Sequence, residues 1–324
     1  MNAVPKEWNA LMAEKNAAFL QSWEWGNLQE GLGRKILRLS GSGFASLLIQ
    51  KPMPFGLNYF YAPRGPIIEK IDDLKKFIDL AKNHSEKKTV FLRLEPIFSS
   101  SDIARPHLRS LGLYKAHDIQ PETTQIINLE KNERDLFREA DHATRYAIKA
   151  AERRGVKIVV CRSEQDRIKN FNDFWKLLNE TGKRHRLKNY PKEYYEKVVT
   201  LDSDCRSELF LAKLEETTIS AALIVFFGKT ATYLYSASLG GYGRYNAPTF
   251  LLWKAILTAK REGCSIFDFW GVSDKNKRWA GLTAFKRSFG GKEINYSGTW
   301  DYPLNKKWYA VYRLAHALGD LSIR

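Results

Sequence analysis

In the tract Trp279-Ala280-Gly281-Leu282-Thr283-Ala284-Phe285-Lys286-Arg287-Ser288-Phe289-Gly290-Gly291, a lysine lies beside an apolar stripe. Leu282, Phe285 and Phe289 recur at i, i+3 and i+7, which is one face of a helix. Gly290-Gly291 is a helix stop. Lys286 falls near the end of that helix, from where an ammonium can reach into a cleft. A cation there suits acyl transfer. When an acyl carbon is attacked, the tetrahedral oxyanion needs a positioned donor, and one good donor contributes roughly 3 kcal/mol. The attack needs no covalent enzyme intermediate, which agrees with the missing nucleophile motif. No HExxH, CxxC or GxSxG occurs, so zinc and serine-hydrolase chemistry lack support. The six histidines show no metal-ligand spacing, and no metal is expected.

Other polar groups are spaced for recognition. Tyr233 and Tyr235 alternate around Leu234 on an expected strand, so one face carries both hydroxyls, as sugar or peptide binding needs. Ordinary aromatic packing is the alternative. Gly182-Lys183-Arg184-His185-Arg186 forms a basic cluster with Tyr190, Tyr194 and Tyr195 nearby. A cationic helical stretch, residues 133–154, carries Arg138, Arg145, Lys149, Arg153 and Arg154. Its small-residue face is Ala140, Ala143, Tyr146, Ala147, Ala150 and Ala151. It reads as a phosphate- or RNA-facing helix or as a solvated connector. Arg244 lies in the loop Gly240-Gly241-Tyr242-Gly243-Arg244-Tyr245-Asn246 ahead of a helix at 248–262. Pro248 fits its first turn and Asn246 its cap. Such a loop is either a phosphate site or a plain turn.

The elements that must position these groups occur twice in the same order. Strands at 44–50 and 57–63, a helix at 71–83, a strand at 89–95 and a helix at 103–111 end at Gly112. Strands at 209–214, 219–227 and 230–236, a helix at 248–262, a strand at 265–270 and the Lys286 helix end at Gly290. Each strand–helix–strand passage implies a right-handed crossover and a parallel pair. The fold class is therefore α/β (α+β), as two similar domains with mixed sheets. Residues 308–321 read as an amphipathic helix packing back on one domain.

The chain of 324 residues is long enough for two such domains, and 44% hydrophobic residues supply their cores. Lys plus Arg is 52 against 36 Asp plus Glu, a net +16 that favours a polyanionic partner over a merely soluble surface. The polar N-terminus has no apolar signal core, no apolar run reaches ~20 residues, and three scattered cysteines suit a reducing compartment. A cytoplasmic protein is expected.

Several blocks, in order, resemble the Fem family of aminoacyl-tRNA-dependent transferases that build peptidoglycan interpeptide bridges. They are Phe19-Leu20-Gln21-Ser22-Trp23-Glu24-Trp25-Gly26, Pro121-Glu122-Thr123-Thr124, Arg145-Tyr146-Ala147-Ile148-Lys149-Ala150-Ala151 and Thr181-Gly182-Lys183-Arg184. Tyr233-Leu234-Tyr235-Ser236-Ala237-Ser238 and Phe285-Lys286-Arg287-Ser288-Phe289-Gly290-Gly291 follow. The resemblance implies two tandem GNAT-like (acyl-CoA N-acyltransferase-like) domains, 1–128 plus 304–324 and 129–303. It implies the compact form that lacks a long helical arm. It also implies transfer of an amino acid from aminoacyl-tRNA to the peptide amine of a precursor, either UDP-MurNAc-pentapeptide or lipid-linked, with no cofactor. A monomer is expected, with a peripheral contact to the anionic inner membrane surface. Lys286 after Phe285 would stabilise the oxyanion or hold the tRNA end. Tyr194, Tyr233 and Tyr235 would line the precursor pocket, and Arg145, Lys149 and Arg244 would face tRNA or phosphate. Glu95 lies near a carboxylate position of the family and is a candidate base, with Asp102 and Asp118 as alternatives. The family's precursor-phosphate lysine is replaced in the vicinity of Asn27 and Leu28, and an arginine by Tyr190, so Arg184 and Arg186 are the candidate substitutes. Two other classes of function stay open: a coenzyme A-dependent GNAT acyltransferase, and a non-enzymatic RNA- or membrane-associated scaffold.

Overall fold

A computed structural model of the chain describes residues 4–97 and 101–317, apart from the side chains of 101–104 and 317. The Asp102 side chain and the end of the helix expected at 308–321 lie outside the described residues. Two compact units emerge, Met1–Glu122 with Asn295–Arg324, and Thr123–Ile294.

The first unit opens with α1 (Pro5–Glu14) and α2 (Trp23–Gly31). It continues through β1 (Ile36–Gly41), β2 (Phe44–Pro52), β3 (Asn58–Ala62), β4 (Ile67–Ile68) and α3 (Asp73–Asn83) to β5 (Thr89–Leu94), α4 (Ser101–Ser110) and β6 (Tyr114–Lys115). The second unit starts with β7 (Thr123–Asn128), α5 (Glu133–Glu139), α6 (His142–Arg153), β8 (Lys157–Cys161), α7 (Glu164–His185) and α8 (Lys192–Val199). It goes on with β9 (Cys205–Leu214), β10 (Thr217–Phe227), β11 (Thr230–Ser238), α9 (Ala247–Arg261), β12 (Ile266–Val272), α10 (Ala280–Arg287) and β13 (Lys292–Asn295). The chain then returns to the first unit as β14 (Trp300–Pro303) and α11 (Lys306–Ala317). Between α7 and β9 there is only the eight-residue α8.

The first sheet runs β1-β2-β3-β5-β14-β6 with β4 beside β2, and the second runs β13-β7-β12-β11-β10-β9-β8. A parallel pair sits inside each, β3/β5 and β11/β12, next to an antiparallel meander. The repeat expected from the sequence is thus present in both sheets. Next to the parallel pair, β14 stands in the first sheet where β7 stands in the second. Yet β7 follows β6 in the chain, and β14 follows β13. Each sheet therefore takes its closing strand from the segment leaving the other unit. The domain boundaries expected after 128 and 303 fall after 122 and 294, because β7 pairs with β12 (Phe267↔Ile127) and β14 with β5 (Tyr302↔Leu92).

Periodicity explains the packing. Leu74, Phe77, Ile78 and Ala81 give α3 one apolar face, which meets Leu48, Phe60, Leu92 and Trp300 of the first sheet. In the second unit, α9 is apolar almost all round and lies over Phe210, Ile224, Phe226 and Phe267. The helix expected at 133–154 is broken: Ala140 is extended, between α5 and α6. There the Asp141 N–H donates to the Ser288 carbonyl at 2.8 Å, a bond a continuous helix would forfeit. Tyr146, expected on the packing face, is exposed.

Candidate active site in the second unit

The helix bearing Lys286 turns only part of the expected stripe inward: Phe289 is buried in the core and Phe285 packs half-buried against it. Leu282 is 42% exposed, whereas Thr283 and Lys286 are buried, Lys286 with 5% of its surface accessible. The cause is local. The Thr283 hydroxyl accepts from the Ser273 N–H at 3.1 Å, and Lys286 Nζ donates to the Gly271 carbonyl at 2.7 Å. These bonds pin α10 onto the end of β12. Phe285 is half-buried and packs edge-on against Phe289, ring centroids 5.5 Å apart, so it seats the helix on the core.

The carbonyl that receives Lys286 belongs to an irregular strand. The pairing of β12 with β7 shifts between Asp268 and Gly271, and Trp270 has φ +64°. That conformation costs a non-glycine residue of order 1–3 kcal/mol, so the surroundings must enforce it. Asp268 does so: its Oδ1 accepts from the Trp270 N–H at 2.7 Å and from the Thr124 hydroxyl. Asp268 also limits the fall in the Lys286 pKa. Burial pushes that pKa down to about 8, and the carboxylate of Asp268 opposes the change. Parallel pairing of β11 with β12 stops at Thr232↔Asp268 although both strands continue. The site is thus built where two strands part, with a buried cation behind one of them.

The tyrosine pair is divided. A bulge at Leu234 makes Tyr233 face Ile224 and Tyr235 face Leu223, which are successive residues of β10. Successive residues point to opposite sides of a sheet, so the two hydroxyls do not share a face. Tyr233 enters the core beneath α9, and burial pushes its hydroxyl up to about 12. Tyr235 lies on the other side, where its hydroxyl meets that of Tyr194 at 2.9 Å and its ring meets Tyr195 at 5.1 Å. Burial raises the Tyr235 pKa well above its ordinary value. Tyr190 tilts against Tyr194 at 4.6 Å and completes an aromatic cluster.

The basic candidates separate into three places. Arg184 is exposed at the end of α7 and donates to the Ser238 carbonyl (3.0 Å) and hydroxyl (3.2 Å), just past Tyr235 on β11. Arg186 caps the same helix with φ +54° and is exposed. Arg145 is spent on the broken helix, donating to the carbonyls of Arg138 (3.1 Å) and Ala140. Lys149 is exposed with its ammonium 5.5 Å from the Phe137 ring centre. Arg244 is exposed in the glycine-rich loop and donates to the Tyr245 hydroxyl at 3.0 Å. Asn246 there has φ +55°, and its side chain does not cap α9.

Glu95 belongs to the first unit, where it closes the place that is open in the second. There β3 and β5 stay paired to their ends, Ala62↔Leu94. The Glu95 carboxylate is buried with both oxygens engaged. Oε2 accepts from the Tyr61 hydroxyl (2.8 Å) and the Arg64 N–H (3.1 Å), and Oε1 from the Gln120 N–H (2.9 Å) and the Thr299 hydroxyl (2.8 Å). Four donors suit a clasp between strand ends better than a proton acceptor. Asp118 is likewise held by Lys115 and the Thr299 N–H. Asp268 and Thr283 were missed from the sequence, although a carboxylate inside Ile266-Phe267-Asp268-Phe269-Trp270 was a signal.

Comparison with known proteins accords with this geometry. The FemAB family model matches residues 107–217 and 204–317. Lipid II:glycine glycyltransferases of Staphylococcus haemolyticus (strain JCSC1435) and Staphylococcus aureus (strain COL) are each 23% identical. They align over 96% and 91% of this chain and 94% and 90% of their own. A crystal structure of FemX has TM-score 0.84 at 22% identity, over 96% of this chain and 98% of that one. The structure of L-PGS from Bacillus licheniformis has TM-score 0.56 at 13% identity, over 97% and 96%. Both share the fold described above, two α/β units with mixed sheets. The family match spans more than half the residues, and the chain belongs to the FemAB family of interpeptide-bridge aminoacyltransferases.

Proposed function

We propose that this enzyme transfers an amino acid from aminoacyl-tRNA to the peptide amine of a lipid-linked peptidoglycan precursor. The observation that carries the reading is Lys286, a buried ammonium held by one backbone carbonyl at the parting of β11 and β12. The amine lone pair forms the new N–C bond. The ester C–O bond breaks, and the net proton movement is from the amine to the departing tRNA 3′ oxygen. Lys286 donates to the oxyanion between these events, in a place dry enough to strengthen the interaction. The Tyr194–Tyr235 hydroxyl pair and Arg184 bind the acceptor. Arg186, Arg244 and Lys149 supply positive charge for phosphates, and the lipid-linked acceptor follows the substrate named in the staphylococcal relatives.

The test is mass spectrometry of lipid-linked precursor after incubation with a full set of charged tRNAs. An added residue that disappears on RNase treatment supports the reading. Product that survives RNase and requires acetyl-coenzyme A overturns it. The second outcome has one structural motive, the glycine-rich loop before a helix start that no side chain caps.

A further inference from the structure

The outward side of α11 is apolar where a surface helix should be polar. Tyr309 and Tyr312 face the sheet, where the Tyr312 hydroxyl meets Arg93 at 2.9 Å and the Arg93–Asp301 pair closes at 2.7 Å. That seating turns Trp308, Val311 and Leu314 to solvent, Leu314 with 65% of its surface accessible. Phe55, at the tip of the β2–β3 turn, is 88% exposed and stacks on Trp308 at 6.3 Å. Four separate exposed apolar side chains are unremarkable, but a contiguous set marks an interaction surface.

Charge surrounds this patch. Lys306 and Lys307 are exposed at the start of α11, and no acidic residue occurs along Lys306–Ala317. The turn before β5 adds exposed Lys87 and Lys88 at the same end of the sheet. The Lys88 carbonyl binds the Asn58 N–H at 3.1 Å, just past the Phe55 turn, and the Val90 carbonyl binds the N–H groups of Leu304 and Asn305 at 2.9 Å. Lysines flanking projecting aromatic and aliphatic groups are the composition of a helix that lies in a bilayer interface. Aliphatic Val311 and Leu314 give nucleic acid nothing to stack on, which favours lipid over RNA. Among the described residues no helix is long and apolar enough to cross a membrane.

We propose that Phe55, Trp308, Val311 and Leu314, with Lys306 and Lys307, dock the enzyme on an anionic phospholipid surface. The choice of lipid rests on the lipid-linked acceptor proposed above. The docking itself is testable without it. The probe is vesicles of phosphatidylcholine with phosphatidylglycerol, free of precursor, against phosphatidylcholine alone, read by flotation of the full chain. The wild type is expected to float with the anionic vesicles. Phe55→Ser with Leu314→Ser should weaken binding about tenfold, and Lys306→Gln with Lys307→Gln about 25-fold, since each lysine near such a surface is worth roughly fivefold. All four positions are exposed, and an unchanged melting temperature confirms folding. Transfer to precursor in detergent should be unchanged in these variants, and it tests the functional reading separately. Equal flotation of wild type and both variants overturns the proposal. So does a wild type that self-associates through this patch and ignores vesicles, or lysine variants that lose tRNA binding while vesicle binding persists.

Discussion

Replacing Lys286 by methionine should separate stability from activity. The side chain is almost fully buried, and its pKa falls from 10.5 to about 8 because burial disfavours the ammonium. That gap is worth about 3 kcal/mol at 1.36 kcal/mol per pH unit. Below pH 8 both folded and unfolded chains hold the proton, so the native state carries the full cost of a buried charge. Between about 8 and 10.5 the unfolded chain binds more protons than the folded one, and stability rises with pH. Lys286→Met removes the charge and keeps the volume, but leaves the Gly271 carbonyl without its donor, at about 1–3 kcal/mol. The variant should therefore match the wild type at pH 7 or exceed it by up to about 2 kcal/mol, while turnover falls roughly 100- to 1,000-fold. The assay is urea denaturation of both proteins from pH 7 to pH 10, taken as a difference so that other titrating groups cancel. Wild type should gain on the variant above pH 8. Parallel curves, or a variant destabilised by several kcal/mol at pH 7, would refute a buried, costly ammonium.

Asp268→Asn should move the acid–base midpoint of the rate profile for turnover to lower pH, because the lost carboxylate had favoured the Lys286 ammonium; an unmoved midpoint counts against the coupling. Tyr235→Phe should raise KM for the acceptor severalfold, whereas Tyr233→Phe on the core side leaves KM alone, as steady-state kinetics will show. Glu95→Gln turns an amide N–H toward existing donors and should cost about 2–3 kcal/mol in urea denaturation with kcat within about twofold. A large loss of kcat at unchanged stability would restore Glu95 as a base. Gly291→Ala should cost about 3 kcal/mol or more, measured as a drop in melting temperature, because its φ is +87° and a Cβ would lie 2.1 Å from the Ile126 carbonyl oxygen. Gly155→Ala, at φ +79° with open space, should cost only about 1 kcal/mol.

Element order was legible because it rests on periodicity. The 2- and 3.6-residue patterns of β9–β11 and α9 are strong, and the two parallel pairs follow from crossovers. What escaped depends on single-residue departures from those periods. One extra residue at Leu234 reversed the side on which Tyr235 stands. A left-handed Trp270 precedes the Gly271 carbonyl that takes Lys286, and α10 buries Thr283 and Lys286 while Leu282, at the start of the stripe, stays exposed. Asn246 takes a left-handed conformation where a cap was expected. The break at Ala140 answers to a carbonyl 148 residues further on, Ser288, which no local pattern reveals. Glu95 looked like a free strand-end carboxylate because its four donors come from 61, 64, 120 and 299.

The exchange of β7 and β14 bears on how the molecule comes into being. A ribosome making this chain releases β5 and β6 long before Trp300–Pro303, the strand that must lie between them. The first sheet therefore stays incomplete through nearly all of synthesis, with the edge of β5 unpaired and its Arg93 lacking Asp301. The second sheet has no such delay, since β7 is made before its partner β12. The nascent protein should mature back to front, and a stop codon after residue 294 should leave a second unit able to close beside a first unit that cannot.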